Sequence, residues 1–312
     1  MNRKKRYAVA CLSGDGIGPE MTAEASRALV EVSRMHGFVI DEVHMPFGGD
    51  AVRRFGHPLP TATRAACLDA DAVLVASTRE PALEAVKAEL DLSWRITRVC
   101  ARGSELAVVS PLADDAAALA LERAFRLAVS RRARLTSVGD GTAWQAALAH
   151  SAERWDGVLV EHARFEEAVL GLVQDPAHLD VIASEQPFAE ALASTAAYAH
   201  EGTRMVASGR VGPDGKGLFG PTHGSAPQLA GQGVANPSAM LLAAALMLGE
   251  GFGERNAART LERAVVEALG NGIRTPDMVS SGAGATTREF MDTLLASLPA
   301  ARRDTEFAGL SA

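Results

Sequence analysis

FGPTHGSAPQLAGQGVANP, residues Phe219–Pro237, contains no Asp, Glu, Lys or Arg and is built from Gly, Pro, Ala and small polar groups. That composition suits neither an ordinary helix nor an ordinary strand, because Pro lacks a backbone donor and Gly loses the most conformational freedom on ordering. It reads as a binding loop. Five of its positions are Gly or Ser, where backbone amides can approach a ligand closely. His223 and Asn236 add planar polar groups able to meet a base or a ribose.

The flanks of this loop describe an α/β chain. Ahead of it, the apolar run Tyr7–Leu12 reads as a strand that ends in the turn SGDGIGPE, Ser13–Glu20. Helical spacing follows over Met21–His36, so the chain opens as strand, glycine turn, helix. Val39–His44 reads as a second strand, Pro46–Asp50 as a loop, Thr61–Leu68 as a helix and Ala72–Ala76 as a third, fully buried strand. Leu83–Leu92 has helical spacing. Further strands are expected at Glu105–Ser110, Arg134–Val138, Val158–Glu161 and Asp180–Ala183, forming a sheet of the middle third's own. Helices are expected at Ala116–Ser130, Ala143–Trp155, Phe165–Val173 and Pro187–His200, and after the loop at Ser238–Gly249, Ala257–Leu269 and Thr286–Leu298. Strands separated by helices imply a largely parallel sheet.

The bulk properties narrow the function. At 312 residues the chain is long enough for two lobes, and its net charge of −7 argues against a nucleic-acid partner. Cys11, Cys67 and Cys100 show no CxxC spacing, which points to buried thiols in a reducing compartment and so to the cytoplasm. No run approaches the roughly 20 apolar residues of a membrane span.

Four segments together carry a family resemblance: SGDGIGPE at Ser13–Glu20, PFGGDAVRRFGHPLP at Pro46–Pro60, HGSAPQLAGQGVANPSA at His223–Ala239 and TPDMVSSGAGATTREF at Thr275–Phe290. In order and spacing they resemble the β-decarboxylating dehydrogenases, the isocitrate and isopropylmalate dehydrogenase family, with isopropylmalate dehydrogenase the closer likeness. The resemblance implies a two-lobed α/β subunit with a central, largely parallel sheet and helices on both faces. Residues 1–100 with 205–312 would form the nucleotide-binding lobe, and residues 101–204 a smaller lobe for metal, substrate and dimerisation. It also implies a soluble homodimer, or a hetero-oligomer with a catalytic paralogue, acting on a small anionic ligand.

The resemblance assigns the adenosine half of NAD to His223, Gly224, Ser225, Ala226, Pro227, Gln228 and Asn236. Gln228 stands where NAD-using relatives often carry an Asp, which leaves NADP open because no carboxylate repels a 2′-phosphate. The family's chemistry also needs a divalent metal, Mg or Mn, held by three Asp residues; those positions fall here on Glu166, Glu190 and Ser194. The family lysine falls on Asp140, and no tyrosine follows the Glu105–Ser110 strand where the family places one. Substrate arginines fall on Lys87, Thr97 and Ser110, with Arg95 and Arg98 beside the second and Arg79 nearby. These changes cluster at the chemical centre while the nucleotide loop and the fold-defining turns remain. The expectation is a divergent relative with metal-dependent oxidative decarboxylation of a 2-hydroxy acid impaired or lost. An active enzyme with an altered substrate, a regulatory subunit, and a cleft re-purposed around Asp140, Glu166 and Glu190 stay as alternatives.

Overall fold

The computed structural model describes residues 4–101, 104–200, 202–279 and 284–298. The chain opens with strand β1 (Arg6–Leu12), helix α1 (Gly18–His36), β2 (Val39–His44), α2 (Gly48–Phe55), α3 (Thr61–Asp69), β3 (Ala72–Val75) and α4 (Leu83–Glu89). Its middle runs β4 (Trp94–Ala101), β5 (Ser104–Pro111), α5 (Ala117–Val129), β6 (Arg134–Val138), α6 (Thr142–Ala152), β7 (Leu159–Ala163), α7 (Phe165–Gln174), β8 (Val181–Ser184) and α8 (Phe188–His200). It returns through β9 (Val206–Val211), β10 (Gly217–Pro221), α9 (Ser238–Leu246), α10 (Arg255–Gly270) and α11 (Thr287–Ser297), with a π-helical turn at Met247–Gly251 between α9 and α10.

All ten strands belong to one sheet, in the order β2-β1-β3-β10-β9-β4-β5-β8-β6-β7. Among the described residues, pairing is parallel on both wings and antiparallel only at β10–β9, β9–β4 and β4–β5. The middle third therefore does not keep a separate sheet, as its strand pattern suggests; β4 and β9 join it to the rest. Both joining strands escape the sequence reading, because Arg95 and Arg98 interrupt the apolar pattern of β4, and Gly209 and Arg210 that of β9. β10 takes in Phe219–Pro221, so the charge-free loop begins at Thr222. The segment after Pro46 is likewise helical, not a loop, from Gly48 onward.

Strand alternation sends successive side chains to opposite faces, and the two faces are built differently. On one face a single continuous core runs from Val9 and Leu74 through Ile96 and Phe219 to Phe125 and Trp144, covered by α1, α5, α6, α9, α10 and α11. On the other face there are two cores. Val73, Val75 and Leu218 pack with Cys67, Leu83 and Val86, while Val99, Val108 and Val206 pack with Leu172, Leu192 and Ala196. The gap between these two cores is where the site lies. Among the described residues no helix is long and apolar enough to cross a membrane.

Candidate active site

The gap holds a cavity of about 280 Å3 floored by β4 and β9 and walled by α8. Arg95 and Thr97 from β4 enter it beside Ser208 and Arg210 from β9, because residues two apart on a strand share a face. Glu190 and Ser194 project from α8, four residues apart and so on one helix face. The turn after β3 closes the rim with Thr78 and Arg79.

Positive charge predominates in the cavity. Arg95, Arg79 and Arg210 bring three cations, against the single carboxylate of Glu190. Arg95 donates to Glu190 at 2.5 Å, and this partner, with Arg210 and Arg79 adding to it, holds the Glu190 carboxyl below the usual carboxylate range. Arg210 is half-buried and pairs with no carboxylate among the described residues. Burial, with the Arg95 charge second, pulls its pKa below the ordinary guanidinium value. A half-buried cation next to a second cation is costly unless an anion joins them.

The expected site residues separate on this framework. Arg79, Arg95, Thr97, Glu190 and Ser194 line the cavity together. Arg98 does not; it lies on the opposite face of β4, bound to Glu262 and Glu105. Lys87 does not line it either, being buried under the rim, where it donates to the Thr78 carbonyl at 3.3 Å and pairs with Glu84 at 2.7 Å. Asp140 is exposed in the turn between β6 and α6, and Glu166 is exposed in the first turn of α7. Neither reaches the cavity, so Asp140, Glu166 and Glu190 do not form a carboxylate set within one chain. Arg210 and Ser208 are the residues that sequence reasoning misses, for they lie on a strand whose pattern Gly209 conceals.

These residues do not fit a divalent hard cation. Mg and Mn require several oxygen ligands in near-fixed geometry. The one carboxylate in the cavity is already held by a guanidinium, and two further arginines surround it. Among the described residues the His, Cys and carboxylate trio close enough to share an ion is Cys11, Glu42 and His44, on the β1–β2 pair; burial, with the Glu42 charge second, pushes the Cys11 thiol pKa upward and keeps it protonated.

The loop after β10 is anchored at its start and in its middle. Ser77 Oγ donates to the His223 carbonyl at 2.9 Å, and Thr78 donates through both its backbone N–H and its hydroxyl to the Pro221 carbonyl, each at 3.1 Å. The same turn that carries Arg79 therefore fixes the start of the loop. The glycine turn after β1 grips its middle: Ile17 N–H donates to the Ser225 carbonyl at 2.9 Å, and Gly231 N–H donates to Glu20. Gly16 has φ +62°, and a Cβ there would overlap the Ser225 carbonyl. Ala226 follows with φ +40°, an uncommon conformation for a residue with a side chain.

Within the loop, Gly224, Pro227 and Gln228 are exposed, and nothing lies within 4 Å of a Cβ placed on Gly224, so backbone and ligand can meet there. His223 is half-buried; burial holds its pKa below the ordinary imidazole value, with the nearby Gly224 carbonyl opposing. Asn236 is buried and already used. Its amide donates to Thr275 Oγ1 at 3.1 Å and its carbonyl oxygen accepts from Ser238 N–H at 2.9 Å, so it shapes the start of α9. The Thr275–Phe290 segment supplies that Thr275; residues 280–283 lie outside the described residues.

The sequence profile of the isocitrate/isopropylmalate dehydrogenase family matches residues 8–94 and 103–294. A 3-isopropylmalate dehydrogenase of Synechococcus sp. (strain CC9902) is 34% identical over 338 residues, covering 89% of this chain and 95% of the relative. A 3-isopropylmalate dehydrogenase of Aquifex aeolicus (strain VF5) is 28% identical over 356 residues, covering 94% and 98%. Among solved structures, a beta-decarboxylating dehydrogenase from Thermococcus kodakarensis in its apo form superposes with a TM-score of 0.76 at 26% identity, covering 93% of this chain and 95% of that one. An isocitrate dehydrogenase from Methylococcus capsulatus gives 0.77 at 23% identity, covering 93% and 98%, a likeness of fold. The glycine turn, the anchored loop and the continuous sheet thus sit within a match that spans nearly the whole chain, and the protein belongs to the isocitrate/isopropylmalate dehydrogenase family.

Proposed function

We propose that this chain is a divergent family member that binds a nicotinamide dinucleotide, NAD in the first instance, on the loop from His223 to Gln228. Its cleft takes a small anionic ligand, and metal-dependent oxidative decarboxylation of a 2-hydroxy acid is lost or strongly impaired. One observation carries this reading: in the cleft, three arginines face one carboxylate that Arg95 already holds. The cleft is suited to bind carboxylates but does not offer the cluster of free oxygens that a metal requires. Arg210 and Arg95, side by side on β9 and β4, form two of the contacts, and the Thr78–Arg79 turn links ligand and nucleotide loop through Pro221 and His223.

The test uses the full chain. Thermal shift is measured with NAD, NADP, Mg and Mn, followed by absorbance of the reduced cofactor with isopropylmalate, isocitrate, malate and tartrate. The expected outcome is a rise in melting temperature with NAD and no appreciable cofactor reduction. Robust turnover of any of the four acids overturns the reading in favour of an active 2-hydroxy acid oxidoreductase with an altered site. A melting temperature indifferent to both nucleotides removes its cofactor half.

A further inference from the structure

A second cavity, of about 560 Å3, lies on the opposite face of the sheet between α5, α10 and the π-helical turn. Its relation to the cleft follows from β4. Arg95 and Thr97 face the cleft, while Arg98, one step out of phase, faces this cavity, so one strand separates the two.

Seven arginines and four glutamates line it, an excess of three positive charges. Two of the carboxylates are used at one end, and burial pushes the pKa of a third, Glu250, upward against the opposing field of Arg98, Arg123 and Arg255. Glu105 and Glu262 both bind Arg98, and Arg131 reaches Glu105 at 3.0 Å and Asp180 at 2.7 Å. At the other end, Arg255, Arg259 and Arg263 recur every four residues along α10 and so form one stripe, each about 6 Å from the next. None of the three forms an ion pair with a carboxylate among the described residues. Arg123, from α5, faces them; its guanidinium lies 5.7 Å from the Trp94 ring, and its Nε is buried with no hydrogen-bond partner among the described residues. Arg98 Nε is buried and unpartnered in the same way.

Buried guanidinium donors with nothing to receive them are expensive, and a row of unpaired arginines on a concave wall repels itself. An anion entering the cavity relieves both costs. We propose that this cavity is a binding site for a small, multiply charged anion bearing phosphate or carboxylate groups, separate from the cleft and from the nucleotide loop. The volume lies within the ordinary range for small-molecule sites, and the two opposed walls suit a ligand with anionic groups at both ends. Arg259 and Arg263 hold one end of it, and Arg123 with the free Nε of Arg98 receives the other. The site does not depend on whether the cleft is catalytically active.

Titration calorimetry on the full chain at fixed ionic strength tests this, with pyrophosphate as the phosphate probe and citrate as the polycarboxylate probe. Because the cleft also attracts anions, two variants are needed. Arg259→Gln with Arg263→Gln alters exposed positions on α10 and preserves helix-forming side chains. Arg210→Ala alters the cleft alone. The expected result is a saturable site for at least one probe that weakens tenfold or more in the α10 double variant and persists in Arg210→Ala, with the stronger probe naming the ligand chemistry. No saturable binding of either probe overturns the proposal, as does binding that the double variant leaves unchanged or that Arg210→Ala abolishes.

Discussion

Arg210 shows what one side chain does to this cleft. It is half-buried beside Arg95 and has no carboxylate partner among the described residues, so a bound anion gains a charge-assisted contact. Hydrogen bonds to charged groups contribute about 1.5–3 kcal/mol, so Arg210→Ala is expected to weaken tartrate binding by roughly ten- to a hundredfold in calorimetry. Glu190→Gln acts in the opposite direction, because Glu190 competes with the ligand for Arg95; tighter tartrate binding is expected, and weaker binding would show that Glu190 is not a competitor. His223 supplies a pH effect. Its pKa is lowered in the fold, so the unfolded chain takes up the proton first as pH falls through the ordinary imidazole value of about 6.5. The folded state loses stability from there down to the lowered pKa. Melting temperature measured against pH is expected to fall less steeply over that window in His223→Gln than in the wild type.

At the scale of elements, the glycine turn and the loop after β10 act as one unit. Gly16→Ala places a methyl group on the Ser225 carbonyl at a backbone angle that side chains avoid, so the turn must part from the loop. The left-handed conformation alone costs about 1–2 kcal/mol, and the overlap adds to it. The expected result is a lower denaturation midpoint together with loss of the NAD-induced thermal shift; an unchanged shift would mean that the two segments are independent. The same contrast between local and distant causes decides what the sequence reveals. β2 and β6 have the bounds expected of them because their patterns lie within their own residues. β4 and β9 do not, since Arg95 and Arg98 pair with Glu190 and Glu262, far away in the chain, and Gly209 leaves a gap into which Phe219 packs. The loop after β10 is legible as composition and the cleft only in part, through Arg79, Arg95, Thr97, Glu190 and Ser194. Lys87 and Arg98 suited it by charge, and strand phase and burial placed them elsewhere, while Arg210 entered it without any local signal.

For the whole molecule, the question is whether the two cores on the cleft side of the sheet unfold separately or as one body, and Phe219 sits where this is decided. Its strand β10 lies between β3 and β9, joining the wing that holds β1 and β2 to the strands that lead into the middle third. Its fully buried ring occupies space that three glycines leave open. A Cβ on Gly209, Gly217 or Gly251 would come within 2.8, 2.9 or 3.2 Å of it, so β9, β10 and the π-helical turn all close around one side chain. The core on the face away from the cleft runs unbroken past Phe219 to Phe125 and Trp144. Removing the ring leaves a cavity that the sheet backbone cannot readily fill, and Phe→Ala changes of this kind cost about 3–5 kcal/mol. If the shared core couples the two halves, Phe219→Ala lowers the urea midpoint by the same amount when followed by tryptophan fluorescence, which reports Trp94, Trp144 and Trp155, and by far-ultraviolet circular dichroism, which reports the whole chain. Separate transitions in the variant, with the fluorescence midpoint unmoved, would show that the continuous sheet joins two independently stable halves.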